Sequence, residues 1–300
     1  MSKWVRRTSI ALLALVLLGV VTTVVGKALG ERKMARNIVL QVAPLSVVPG
    51  AGRIEHGRYL YNTRGCAECH GVDGAGKTFV KDGGMFVVAP NITAGANGAT
   101  KHYTTIDWVR TVRHGVKPNG NPVLLMPSED YSRLTDEDMG ALAAYLQQMR
   151  PVPGLAAVID VPVPFKALYA FGVIRDASEK IDHSLAPPRP VAAGVTLAHG
   201  AYVADSCTGC HGASLSGGRI PGVPPSWPSA ANLTPGKGSA MPRYPTPDAF
   251  AAMLRSGHRP DGSAISPVMP FGSLRQLNDI DVRALYAYLK SMPAHATGQP

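Results

Sequence analysis

Large aromatic rings are scarce in this chain. Phe, Trp and Tyr make up 6% of its 300 residues, too few for two ordinary cores of about 100 residues each, where such side chains fill much of the buried volume. Something else must occupy part of the interior. Acidic residues are also few, 20 against 30 Lys and Arg, and the net charge of +10 raises the question of a polyanionic partner. Its distribution answers that question. Lys3, Arg6, Arg7, Lys27, Arg32, Lys33 and Arg36 against Glu31 place six of the ten net charges before residue 37. Beyond them no Lys/Arg run is interleaved with aromatics, which argues against nucleic-acid binding and its basic stripe. Alternating strand patterns of useful length are missing too, so an all-α fold is expected. Turn formers are in excess, with 32 Gly and 26 Pro, about a fifth of the chain against a usual eighth. With 45% hydrophobic residues, the composition excludes wholesale disorder and describes helices joined by long loops.

Residues 8–26 carry no charge. At a helical rise of 1.5 Å they span about 28 Å, close to the ~30 Å hydrocarbon core. The segment reads as a transmembrane anchor. A cleaved signal peptide is the rival, with Ala28-Leu29-Gly30 as a small-x-small site, but the length favours retention. Basic residues flank both ends, so charge alone orients the span weakly. Either way the bulk of the chain is expected to be exported, with residues 27–51 as a linker.

Four cysteines in an exported protein ordinarily suggest two disulfides. Here Cys66 and Cys69 belong to CAECH, ending at His70, and Cys207 and Cys210 to CTGCH, ending at His211. C-x-x-C-H is the attachment signature of c-type haem: two thiols add to the two vinyl groups and the adjacent imidazole ligates iron. A zinc site of four thiolates, or redox or disulfide pairs, would leave unexplained why His follows both pairs.

An internal repeat organises the rest. His56-Gly-Arg-Tyr59 aligns with His199-Gly-Ala-Tyr202, CAECHG with CTGCHG, Asn91-Ile-Thr93 with Asn232-Leu-Thr234, and Met126-Pro127 with Met269-Pro270. The offset drifts only from 141 to 143 residues. Within each unit, helices are expected after Thr104 or Thr105, after Thr135 with Asp138 in a box-like cap, after Thr246 with Pro247, and after Asn278. The units are drawn as residues 52–150 and 195–293, followed by a tail, 294–300. The segment between them, 151–194, holds seven prolines but is apolar at Val161–Phe165 and Leu168–Ile174. A strap lying against a domain is expected, with an interfacial helix over 165–175 as the rival.

A haem that only moves electrons needs both axial positions filled. Met126 and Met269 are the candidate distal ligands, in matched Pro-containing loops 56 and 58 residues after their His. Met is more often core filler, which suits the other recurring pair, Met149 and Met292, at the ends of the last helices. His114 and His258 do not align, and His102 and His183 have no counterpart. His56 and His199 recur but are placed before the first helix, in a capping or packing role. Asn91-Ile-Thr93 and Asn232-Leu-Thr234 match the glycosylation sequon; their fixed distance from the Cys suggests instead a turn closing over a haem edge, with Asn and Thr donating to propionates.

With APNIT, VRTVRHGVKPNG, LLMP, LTDEDMGALAAYL and the strap IDVPVPF, the chain resembles a membrane-anchored dihaem class I cytochrome c, and more narrowly the cytochrome subunits of bacterial alcohol-type dehydrogenases. Those subunits usually carry three CxxCH motifs, and this chain has two. The resemblance implies two tandem class I cytochrome c domains with loop-rich haem pockets. Cys66, Cys69, His70 and Met126 would serve one covalently bound haem c, and Cys207, Cys210, His211 and Met269 the other. The expected role is a relay of single electrons, without catalysis of its own, from a periplasmic dehydrogenase or quinol-side donor to a terminal oxidase or soluble cytochrome. The implied setting is the bacterial inner membrane, with the haem domains in the periplasm. The alternatives are a peroxidase-like dihaem enzyme and the dihaem subunit of a terminal oxidase.

Overall fold

A computed structural model describes residues 2–45, 50–220 and 223–299; residues 46–49 of the expected linker and the last residue of the tail lie outside them. Helix α1 (Lys3–Met34) is capped by the Ser2 hydroxyl, which accepts from Val5 N at 3.3 Å. The helix is long and apolar enough to cross a membrane, and it continues past the uncharged run into the expected linker.

The first repeat supplies α2 (Ala51–Thr63), α3 (Cys66–His70), β1 (Lys77–Asp82), β2 (Met85–Ala89), α4 (Thr105–His114), α5 (Ser128–Tyr131) and α6 (Asp136–Gln148). The strap supplies β3 (Val158–Asp160), α7 (Val163–Ala170) and α8 (Ala177–Lys180). The second repeat supplies α9 (Leu197–Ala204), a 3₁₀ turn (Asp205–Cys207), α10 (Thr208–His211), α11 (Pro247–Ser256), α12 (Phe271–Leu274) and α13 (Asp279–Ser291). The caps fall where the sequence puts them. Thr104 closes a full capping box with Asp107, Thr246 accepts from Ala249 N, and Asn278 accepts from Asp281 N.

In each repeat the first helix crosses the last at a glycine. A Cβ on Gly57 would lie 2.1 Å from the Ala141 carbonyl oxygen, and one on Gly200 2.1 Å from that of Ala284. Only hydrogen fits at these crossings. Each repeat closes its own core: Leu60, Tyr61, Trp108, Met139 and Leu142 in the first, Val203, Phe250, Leu254, Val282 and Leu289 in the second.

A small antiparallel sheet, ordered β1-β2-β3, departs from the strand-free expectation. Its hairpin turns at Gly83 and Gly84, both at positive φ, and Phe86–Val88 of β2 pair with Val158–Asp160 of the strap. Alternation is weak because β1 buries only Val80 while β2 buries residues on both faces. The strap closes a third core, in which Val80, Met85, Val87, Val161, Phe165 and Tyr169 pack with Leu124 and Leu125 at its edge. Those leucines directly precede Met126. The strap thus lies against the first domain, as expected, and its helix α7 also packs on α1.

Candidate cofactor site

Both C-x-x-C-H segments form single helical turns. Gly71 and Gly212 end them at φ 79° and 78°, conformations that favour glycine. His70 Nδ1 lies 2.9 Å from the Pro90 carbonyl, and His211 Nδ1 lies 2.8 Å from that of Ala231. A backbone carbonyl accepts only from a protonated nitrogen, so Nδ1 carries the proton and Nε2 keeps its lone pair for a metal. Burial pushes both imidazoles below the ordinary value, against the effect of the carbonyl, and this favours the neutral ligating form. The four thiols are unpaired. Burial pushes those of Cys66 and Cys69 up to about 12 and that of Cys207 up to about 11. Among the described residues no three His, Cys, Asp or Glu side chains converge, so a four-thiolate zinc site finds no support. Two uncharged thiols on one turn beside an imidazole with a free Nε2 fit covalent haem attachment in both repeats.

The methionine loops are built alike. After α4 and α11, Gly115 and Gly257 enter the left-handed region at φ 64° and 75°. Bridges Val116–Pro122 and His258–Ala264 then pin the turns. Pro127 and Pro270 share one conformation, φ −79° ψ 66° and φ −78° ψ 67°. The carbonyls of Met126 and Met269 each accept from the residue two ahead, Ser128 N and Phe271 N, at 2.8 Å. Both methionines sit half-buried at the edge of their repeat's core, as a ligand on a pocket wall would. Met149 is buried core and Met292 packs against the second core, as their helix-end positions suggest.

The two Asn-x-Thr turns correct the sequence reading. Asn91 and Asn232 are 0% and 1% exposed, which excludes glycosylation in the folded chain. Their side chains are spent within the protein. Asn91 Nδ2 donates to the carbonyls of Ala96 (3.0 Å) and Val152 (2.8 Å), and its Oδ1 accepts from Thr93 N and Oγ1. Asn232 repeats the set with Lys237, His295 and Thr234. With both amide protons used, neither Asn donates to a propionate. The turns clamp the chain that leaves the last helix.

His56 and His199 are the second correction. Both lie inside the first helix of their repeat, and each Nε2 meets the carboxylate three residues into the last helix, Asp138 or Asp281, at 2.7 Å. The other oxygen of each carboxylate is bound from the opposite domain. Tyr59 Oη donates to Asp281 Oδ2 at 2.7 Å and accepts from Asn278 N at 3.1 Å. Tyr202 Oη donates to Asp138 Oδ2 and accepts from Thr135 N at 3.2 Å. At Thr135 the tyrosine thus replaces the return bond of the expected capping box. Beside this exchange, Glu68 Oε1 accepts from Ser273 N at 2.7 Å and Thr208 Oγ1 donates to Asp130 Oδ1 at 3.1 Å. Each C-x-x-C-H turn therefore lies against the short helix that follows the Met-Pro pair of the other repeat. Burial, helped by the Glu129 charge, pushes Asp130 up to about 7. His114 pairs with His183 of the strap, Nδ1 to Nδ1 at 3.1 Å, a pair the repeat could not reveal because neither residue recurs.

The sequence matches the cytochrome c family over residues 54–150 and 196–293. It is 28% identical over 272 residues to the fructose dehydrogenase cytochrome subunit of Gluconobacter japonicus, covering 81% of this chain and 53% of that one. It is 29% identical over 280 residues to the gluconate 2-dehydrogenase cytochrome c subunit of Pantoea cypripedii, covering 82% and 61%. Against these relatives the chain spans between half and two thirds of their length. A diheme cytochrome c-type of Cereibacter sphaeroides is matched over 87% of its length and 81% of this chain, at 27% identity. The chain belongs to the cytochrome c family, with a domain of that family on either side of the strap, and two such domains support covalently bound haem c.

Proposed function

We propose that the chain is a dihaem relay that passes single electrons from a periplasmic dehydrogenase or quinol-side donor to a terminal oxidase or soluble cytochrome. Catalysis belongs to the donor. In this reading Cys66, Cys69, His70 and Met126 would hold one haem and Cys207, Cys210, His211 and Met269 the other. When bound, each haem supplies an iron centre that cycles by one electron. The chain's part is to hold that iron between two fixed ligands, so that little moves on oxidation or reduction and no substrate finds an open position. The carbonyl bonds at Nδ1 leave each Nε2 free, and the conformationally matched Pro loops carry Met126 and Met269. A sulfur ligand raises the potential relative to a second imidazole, which suits a carrier that feeds an oxidase.

The observation that carries this reading is the duplication of the whole constellation. The imidazole-to-carbonyl bonds at 2.9 and 2.8 Å and the matched proline angles recur in both repeats, which supports giving both sites the same role. The exchanged contacts of Glu68 and Asp130 put both attachment turns on the interdomain face, which suits direct transfer from one domain to the other. Helix α1 would anchor the relay in the inner membrane, with the domains in the periplasm.

The test is the spectrum and intact mass of the full chain expressed with a c-type maturation system. Two haem additions, two low-spin sites and the weak far-red sulfur-to-iron band are expected. A high-spin haem that binds cyanide or peroxide rapidly would replace this reading with a dihaem enzyme.

A further inference from the structure

The strap descends along the anchor before it reaches the second domain. At Gly30 an added Cβ would lie 2.3 Å from the Lys166 carbonyl, while at Gly26 it would meet Ala167 Cβ at 2.8 Å and the Phe171 ring at 3.8 Å. From Lys166 to Phe171 the strap therefore runs down α1 toward the uncharged segment. Gly172, at φ 75°, reverses it, and by Asp176 it has climbed back to pair with Arg36 at 2.7 Å. Phe171, Gly172 and Val173 form the lowest point of the strap, level with the end of the uncharged run.

That tip is apolar and bare. Phe171 is 61% exposed, Val173 67% and Leu168 43%, beside Val25 and Leu29 of α1 at 45% each. Phe165 and Tyr169 on the opposite face of α7 are buried in the third core, and Lys33 Nζ holds the Tyr169 carbonyl at 2.9 Å, so the tip is a fixed projection. Lys27, next to the Gly26 that Phe171 meets, Arg32 one turn further along α1, and Arg175, two residues past Val173, are exposed, the charge that suits phosphate headgroups.

We propose that the Phe171–Gly172–Val173 tip, with Leu168, inserts into the lipid surface beside α1 as a second membrane contact. The proposal rests on the reading of α1 as a membrane anchor. Lipid is the occupant because the tip continues the exposed apolar face of α1 at the depth where its charges begin. Interfacial apolar groups there seat about 5–10 Å into the boundary between headgroups and acyl chains. One helix alone leaves a domain free to swivel. A second contact fixes the tilt of the first domain, since the same strap packs into the core that contains Leu124 and Leu125.

The experiment places p-benzoylphenylalanine at position 171 of the full holoprotein in phosphatidylglycerol-containing vesicles, irradiates it, and detects phospholipid adducts by mass spectrometry. Position 24, inside the span, and exposed position 185 of the strap serve as controls. Adducts are expected at 24 and 171, each at least about tenfold above 185, as interfacial seating requires. Adducts at 24 without adducts at 171 would overturn the inserted tip and leave the anchor standing. No adduct at 24 would overturn the anchor and the tip with it. Crosslinking of 171 to protein instead of lipid would also overturn the proposal.

Discussion

The hydroxyl of Tyr59 stands between two groups of the opposite domain, donating to Asp281 Oδ2 at 2.7 Å and accepting from Asn278 N at 3.1 Å. Tyr202 holds the matching position over Asp138 and Thr135. Removing either oxygen strips a helix N-terminus of one acceptor and a part-buried carboxylate of one donor. Tyr59→Phe and Tyr202→Phe are each expected to cost about 1–2 kcal/mol in guanidinium unfolding followed by far-ultraviolet dichroism. The double variant is expected to expand the molecule in solution scattering. No loss in either single variant would show that the interface is held elsewhere.

The His56–Asp138 pair sets a pH dependence. Its bond to Asp138 outweighs burial and raises His56 above its ordinary 6.5. Burial pushes Asp138 up, but bonds from His56 and Tyr202 hold it below its ordinary 3.8. A histidine raised by folding contributes fully below its unfolded pKa and loses that contribution as pH rises through the folded one. A carboxylate lowered by folding contributes above its unfolded pKa and loses it as pH falls. The pair is therefore strongest between about pH 4 and 6.5. His56→Phe is expected to lower stability by at most about 1 kcal/mol at about pH 5.5, since His56 is half exposed, and by less at about pH 9. A deficit that grew with pH would contradict the assignment.

Asn91→Ala separates a structural clamp from a cofactor contact. The change leaves the Thr93 amide without a partner in a buried turn and leaves the Val152 carbonyl only the longer bond from Thr93 Oγ1 at 3.3 Å, at a cost on the order of 2 kcal/mol. Both haem potentials should stay where they are. A potential that moved while stability held would restore a direct role at the propionates.

Exchanging the proposed sulfur ligands one at a time tests the two proposed sites. Met126→His and Met269→His are each expected to lower one potential by tenths of a volt, within the ~0.8 V range that axial ligands command, and to leave the other unchanged. Potentiometric titration followed in the α-band reads this directly. Both midpoints moving together in one variant would mean that a methionine is shared or merely structural.

Gly200 tests the helix crossing. A methyl there would sit 2.1 Å from the Ala284 carbonyl oxygen, so Gly200→Ala must push α9 away from α13. A loss of about 2–3 kcal/mol is expected in unfolding experiments. A neutral outcome would mean that the crossing can widen at no cost.

How much of this was legible in the sequence depended on how local each signal was. Both attachment turns, the proline loops and the caps at Thr104, Thr246 and Asn278 lie within a few residues and were repeated, so one copy corroborated the other. The sheet is hidden in the sequence because its third strand comes from the strap about 70 residues later, although Asp82-Gly83-Gly84 is a usable hairpin signal. The roles of Asn91 and His56 are not legible locally because their partners, Val152 and Asp138, lie 61 and 82 residues away. A recurrent residue reveals that it is constrained, not what constrains it. The tyrosine exchange was visible only as a recurring Tyr59 and Tyr202, since no pattern within one repeat tells which copy of an aspartate it meets.

That exchange has the symmetry of a dimer contact. A contact in which residue i of one unit meets residue j of the other, and the reverse holds as well, is isologous, the geometry of a two-fold homodimer. Fusing two copies through a strap keeps such a contact at fixed stoichiometry and lets the halves diverge, as Glu68 and Gly209 already have at one position of the turn. The chain thus carries, inside a single polypeptide, the reciprocal contact of a two-fold dimer.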